Sequence, residues 1–147
     1  MTKTVTFTVC DLPPVKSSAT SLWTEQFDRV ASLRRAVLEA LKSSPYVIFK
    51  EKKPVKVEAM FYINKNTRLS DLDNMLGGVL DGLQTCPSGV TLENVVPTER
   101  LKNIHSNESL IFEDDWQVFE IIGRKEYIEG ELYYTVTISP LIPDCSR

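Results

Sequence analysis

The stretch VKVEAMFYINKNTRLSDLDNMLGGVLDGL, residues 55 to 83, changes its hydrophobic period part-way, and that change decides the fold. Val55, Val57, Ala59, Phe61 and Ile63 recur at every second position, the period that turns one face of a strand toward a core. Leu72, Leu76, Val79, Leu80 and Leu83 recur instead at helical spacing. A strand therefore leads through a polar turn into a helix, and Asp71 and Asp73, flanking one leucine, stand at the junction. Gly77 and Gly78 in mid-helix cost about 1 kcal/mol each relative to alanine, so something must use their smooth surface, and close backbone packing is the plain answer.

On the N-terminal side, TVTFTV (4 to 9) alternates as a half-buried strand does, and Pro13 and Pro14 end it because proline cannot continue a ladder. Phe27, Val30, Leu33, Val37, Leu38 and Leu41 predict one amphipathic helix from Thr24 to Lys42, with Thr24 as its cap and Ser43, Ser44 and Pro45 as its stop. Residues 85 to 112 hold no sustained period. They predict a long connection with one short helix near Glu93 or Glu99, of a length that is often functional or mobile. WQVFEII (116 to 122) and ELYYTVTI (131 to 138) predict two strands joined as a hairpin through GRKEYIEG. The expected class is α+β: one domain over 1 to 147, a mixed four-stranded sheet with two main helices on one face, and an insertion-like connection at about 85 to 112.

With 147 residues, 42% of them hydrophobic and 25% charged, the chain has the composition of an ordinary globular domain. Its start has no basic stretch followed by an apolar core, and no run approaches about 18 apolar residues, so the expectation is a soluble, cytoplasmic protein without membrane contact. Cys10, Cys86 and Cys145 are odd in number and lack CxxC spacing, which fits a reducing compartment and excludes a cysteine zinc site. A net charge of −3 argues against coating nucleic acid by bulk charge. The distribution is uneven, however: residues 1 to 28 carry two basic and three acidic side chains, residues 29 to 68 ten and three, and residues 69 to 147 five and fourteen. Such a pattern sets a phosphate-binding face beside a carboxylate-rich end, and a merely solvated surface also accounts for it.

A second acidic group, Glu113, Asp114 and Asp115, precedes the third predicted strand. Carboxylates within about 4 Å repel by roughly 4 kcal/mol per pair at an effective dielectric near 20, so a cluster of them needs a cation or a proton. Oxygen ligands without a histidine partner suit magnesium, or manganese, rather than zinc. The plain alternative is local: Ser70 or Asp71 caps the helix, Asp73 meets its dipole, and the second group is a solvated turn. Spacing alone leaves both open.

DLDN opening a helix (71 to 74), LDGL further along it (80 to 83), DDWQV opening a strand (114 to 118) and an N-terminal LPP after the first strand together resemble the RusA family of Holliday junction resolvases. The resemblance covers nearly the whole chain in element order. It implies a RusA-like fold and a magnesium-dependent endodeoxyribonuclease, a homodimer that nicks two strands of a four-way junction in recombination and repair, often carried by phage or prophage. Two related sites suit paired symmetric cuts. Carried over position by position, Asp71, Asp73 and Asp115 are the catalytic, metal-binding carboxylates, Asp114 is a further candidate ligand, and Asn74 supports the helix start.

The chain departs from the family at Gly77, where members carry a lysine, and in the length of the connection from Thr85 to Phe112. Lys65, Arg68, Lys53, Lys56, Arg124 and Lys125 are the candidate DNA contacts, the first two and last two also candidates for a displaced cation. The rival readings are a junction-binding relative that does not cut and a protein-interaction module. An enzyme of small phosphates is disfavoured because no GxxxxGK[ST] loop occurs. His105 falls in the irregular connection and is expected to be exposed. Trp23 and Trp116 are expected in core or sheet-edge packing, with stacking on unpaired bases as the functional alternative.

Overall fold

The structure is a computed structural model that describes residues 4–43, 52–68 and 70–141; Ser44, Pro45 and Cys145 lie outside the described residues. The elements are β1 (Val5–Val9), α1 (Ala19–Glu25), α2 (Phe27–Ser43), β2 (Val55–Ile63), α3 (Leu72–Gly82), α4 (Thr98–Leu101), β3 (Val118–Tyr127) and β4 (Tyr133–Pro140), with 3-10 turns at Leu92–Asn94 and Asp115–Gln117. The class is α+β, with an open, mixed four-stranded sheet in the order β1-β4-β2-β3. Among the described residues no helix is long and apolar enough to cross a membrane.

The helix expected from Thr24 to Lys42 is α2, starting three residues later at Phe27, and a further helix, α1, precedes it. Gln26 closes α1, and its side-chain amide donates to the Val15 carbonyl while its oxygen accepts the Val15 N–H, both at 2.8 Å. Those bonds draw the chain that follows Pro14 onto the helix break. Ser18, not Thr24, caps α1, accepting the Ser21 N–H at 3.2 Å, and the Thr24 hydroxyl is spent inside the helix on the Thr20 carbonyl.

The expected hairpin is also corrected. β3 and β4 are not neighbours, because β2 lies between them, parallel to β3 and antiparallel to β4. Residues 128–132 need span only two strand spacings of about 4.8 Å each, which a segment of that length does without strain. β2 thereby gains two partners, and β3 becomes an edge.

Val5, Phe7 and Val9 of β1, Val57, Ala59 and Phe61 of β2, and Tyr134, Val136 and Ile138 of β4 form one core with Leu33 and Val37 of α2 and Met75, Val79 and Leu83 of α3. Both long helices thus cover the same sheet face. The other face is polar, with the Thr6 and Thr137 hydroxyls 3.0 Å apart and Lys56 paired to Glu58 at 2.9 Å.

The long connection does not stand free. It contains both a 3-10 turn beside Glu93 and α4 around Glu99, and Leu92, Val96 and Ile104 bury against Leu22, Trp23, Phe27, Val30 and Ala31 of α1 and α2 in a second core. Arg34 of α2 ties it down: the buried guanidinium donates to the carbonyls of Ile104, His105 and Glu108 in the connection and of Gly82 and Gln84 at the end of α3. Burial holds its pKa down to about 10, still well above neutral, so it stays charged and the five carbonyls share the charge.

Candidate functional site

Both acidic motifs are anchored on α3 and the strands beneath it. Lys125 Nζ donates to the Ser70 carbonyl at 3.2 Å, and Leu76 lies on Gly123, so α3 runs opposite to β3. The N-terminal end of the helix therefore sits over the end of β3, and its C-terminal end over the start.

At the N-terminal end, Asp71 takes the cap position with extended backbone (φ −61°, ψ 151°), yet its side chain makes no capping hydrogen bond. Asp73 occupies the first turn, where the helix dipole favours a carboxylate. Both are exposed. A cleft of about 420 Å³ is lined by Asp71, Arg68, Ser70 and Asn74. Because β2 and β3 pair in parallel with Ile63 opposite Tyr127, the turn after β2 that carries Lys65 and Arg68 and the late part of β3 lie at this end; Lys125 faces α3, whereas its neighbour Arg124 faces the opposite, helix-free side of the sheet. All four are exposed. Carboxylates flanked by cations on an open surface suit a phosphodiester with its counter-ion.

The second acidic group lies at the other end. Val118 pairs with Val55, and Asp115 starts the 3-10 turn just before it. Asp114 caps that turn in a reciprocal box with Gln117, whose side-chain oxygen accepts the N–H groups of Glu113 at 2.8 Å and Asp114 at 3.1 Å. The sequence alternative of a capping Ser70 or Asp71 is met in position only, since Asp71 stands at the cap without a side-chain bond, and the second group, read there as a solvated turn, is a capped 3-10 turn. Lys53 and Lys56 also lie here; the Lys53 carbonyl accepts from Gln117 Nε2 at 3.1 Å, and Lys56 is paired on the open face.

Asp115 is exposed as a residue, but partial desolvation of its carboxyl pushes its pKa up, and the charges of Asp81 and Asp114 push it further; Lys16 pulls it back. Asp81, near the end of α3, is likewise raised by desolvation and pulled back by Lys16.

Asp73 and Asp81 are about 12 Å apart along the helix axis, eight residues at 1.5 Å each. Val118 and Lys125 are about 23 Å apart along the strand. A single chain therefore keeps Asp71 and Asp73 away from Asp115, and among the described residues no three His, Cys, Asp or Glu side chains are grouped to hold an ion.

Three residues at the site escaped the sequence reading: Lys16, Asp81 and Arg34. The signal for the first was the glycine pair. A Cβ on Gly78 would stand 2.0 Å from the Pro14 carbonyl oxygen, so the expected close backbone packing is with the chain segment after β1. That segment continues to Lys16, whose N–H donates to the Asn74 carbonyl at 2.8 Å and whose side chain lies over Gly77. His105 is exposed, as expected, and its ring meets Glu108 at 3.3 Å. Trp23 is buried in the second core, whereas Trp116 is 53% exposed, against the expectation of packing.

No family model matches the chain, and no curated protein matches its sequence.

Proposed function

We propose that this protein is a magnesium-dependent, structure-selective endonuclease of the RusA kind, cutting four-way or other branched DNA, and that its working form is a homodimer whose sites are shared between copies. The observation that carries the reading is the pairing at the open end of α3 of two exposed carboxylates, free of capping duty, with Arg68 lining the same cleft as Asp71 and Lys125 bonded to the Ser70 carbonyl beside them. Magnesium commonly takes one or two carboxylates and completes its shell with water and phosphate oxygens, so Asp71 and Asp73 fit it even though no third ligand joins them within the chain. A bound ion of that kind supplies an activated water and charge stabilisation for phosphodiester hydrolysis. Arg68 and Lys125 hold the phosphate, and Lys65 extends that grip along the duplex.

The edge strand suggests where the third carboxylate comes from. β3 is long, has no partner on its outer side among the described residues, and exposes Phe119, Ile121, Ile122 and Tyr127. An antiparallel pairing of β3 with a second copy, two-fold at Ile122, sets Glu120 opposite Arg124 of the second copy and the reverse. In that register Asp115 of the second copy falls alongside Glu129, at the end of the sheet where Ser70 and Asp71 lie. Each site then has Asp71 and Asp73 from one copy and Asp115 from the other.

Labelled four-way junctions and linear duplex, incubated with the protein with and without magnesium or manganese, test the reading. Metal-dependent cutting of the junction is expected, lost in Asp71→Asn and Asp73→Asn while folding and junction binding persist. Asparagine variants that cut at the normal rate would show the assignment to be wrong. A non-cutting junction binder is the second reading, favoured by the glycine at position 77 and by the lack of a three-ligand group among the described residues. It predicts gel shifts of the junction without cleavage in either metal. A protein-interaction module predicts no salt-dependent DNA binding at all.

A further inference from the structure

We propose that Lys16, carried by the segment after β1 and not by the helix, is a phosphate-contacting cation on the Asp115 side of the shared site, held in position by the bare surface of Gly77. The proposal rests on the phosphodiester reading above.

The geometry has three parts. The Lys16 backbone is pinned to α3 by its N–H bond to the Asn74 carbonyl at 2.8 Å, with Pro14 seated on Gly78 just before it. The Lys16 stem then runs across Gly77: a Cβ built there would meet Lys16 Cδ at 2.8 Å, Cβ at 3.3 Å and Cγ at 3.5 Å. Any side chain at position 77 would push the stem away. Beyond the stem, Asp81 is one helical turn on from Gly77 and shares its face. The ammonium acts on Asp81 and Asp115 alike, favouring the charged form of each. Among the described residues no ion pair within 4 Å consumes Lys16, in contrast to Lys56 and Arg100, which are paired with Glu58 and Asp28. An exposed ammonium whose stem lies along the helix at Gly77, near two carboxylates but bonded to neither, is disposed to take an anionic oxygen that arrives from solvent. The two glycines thus serve separate ends, Gly78 admitting the crossing backbone and Gly77 admitting the lysine.

The test compares wild type with Lys16→Ala, Lys16→Arg, Gly77→Ala and the double variants Lys16→Ala/Gly77→Ala and Lys16→Ala/Gly77→Lys. Readouts are junction cutting, the salt dependence of junction binding, and melting. Lys16→Ala is expected to slow cutting by about 100-fold, the usual effect of losing one charged contact to a reacting phosphate. It should also lower the slope of log affinity against log salt by about 0.9, the value for one phosphate contact, while Lys16→Arg keeps the slope. Lys16→Ala/Gly77→Lys should recover to within about tenfold of wild-type cutting, because the vacated groove then admits a lysine from the helix. Set against the gain alanine brings in mid-helix, Gly77→Ala should melt lower relative to its parent in the wild-type background than in the Lys16→Ala background. Unchanged cutting and slope in Lys16→Ala, or an equal cost of Gly77→Ala in both backgrounds, overturns the proposal and leaves the nuclease reading standing. A wild type that never cuts, but loses that slope in Lys16→Ala, sinks the nuclease reading and keeps Lys16 as a phosphate contact.

Discussion

The two ends of α3 carry the same chemistry in opposite mechanical settings. At the start, Asp71 and Asp73 project from an open turn held by one bond from Lys125 to the Ser70 carbonyl. At the finish, Arg34 binds the last carbonyls, Pro14 and Lys16 press on the glycine face, and Asp81 and Asp115 are partly desolvated. The difference teaches that an acidic residue at a helix end can be placed for a ligand or for the fold, and that its surroundings decide which. Carboxylates with nothing to cap or to pair with are free to take a counter-ion from outside. Those at the anchored end sit in a field set by Lys16.

The anchored end breaks most dramatically at Arg34. Arg34→Leu leaves five carbonyls without their donor, in a setting where each unsatisfied buried group costs about 1 to 3 kcal/mol, so a loss of at least about 3 kcal/mol is expected in chemical denaturation. A loss under about 1 kcal/mol would mean that water replaces the guanidinium easily and the anchor is weak. Next comes the glycine pair. Gly78→Ala drives a methyl into the Pro14 carbonyl, which as backbone cannot yield, and should cost about 2 kcal/mol or more; Gly77→Ala meets only the flexible Lys16 stem and should cost less than about 1 kcal/mol. Equal effects would erase the distinction between backbone and side-chain packing drawn for the two positions.

The smallest effect is electrostatic. A carboxyl whose pKa is raised in the fold binds its proton more tightly there than in the unfolded chain. Its contribution therefore falls as pH rises from the ordinary value of 3.8 through the raised value, and stays low above it. Asp81→Asn and Asp115→Asn should accordingly raise stability at pH 7, by no more than about 1 kcal/mol because both side chains still meet water, and the gain should vanish below the ordinary value. Asp71→Asn and Asp73→Asn should change it by less than about 0.5 kcal/mol. Melting curves between acid and neutral pH distinguish the two ends.

Much of the fold was legible where one period ran unbroken. β2 over 55 to 63 and the helix from Leu72 follow directly from the alternation and from the helical spacing, because in both the burial pattern is set by the nearest neighbours. The break at Gln26 was not legible, since it depends on a bond to Val15 that only the tertiary fold supplies. The hairpin reading failed for a similar reason. Spacing and glycines report that two strands are close in sequence, not that a third has been inserted between them in space. Glu93 and Glu99 did mark short helical turns, but nothing local announced the second core, which depends on Trp23, Leu92 and Ile104 meeting from distant parts of the chain. For the site, the spacing of Asp71 and Asp73 pointed to the open end of α3. Lys16 stayed hidden because a lone lysine in a proline-rich segment has no period, and its only trace was the costly glycine pair it lies on.

Mixing two inactive variants tests the shared site most directly. Asp71→Asn and Asp115→Asn are combined after co-refolding, and nicking of a labelled four-way junction is followed in magnesium. One of the two sites in each mixed dimer then has Asp71, Asp73 and Asp115 intact, so nicking of a single strand should return in the mixture while each variant alone stays silent. Silence of the mixture beside an active wild type would contradict carboxylates drawn from two copies.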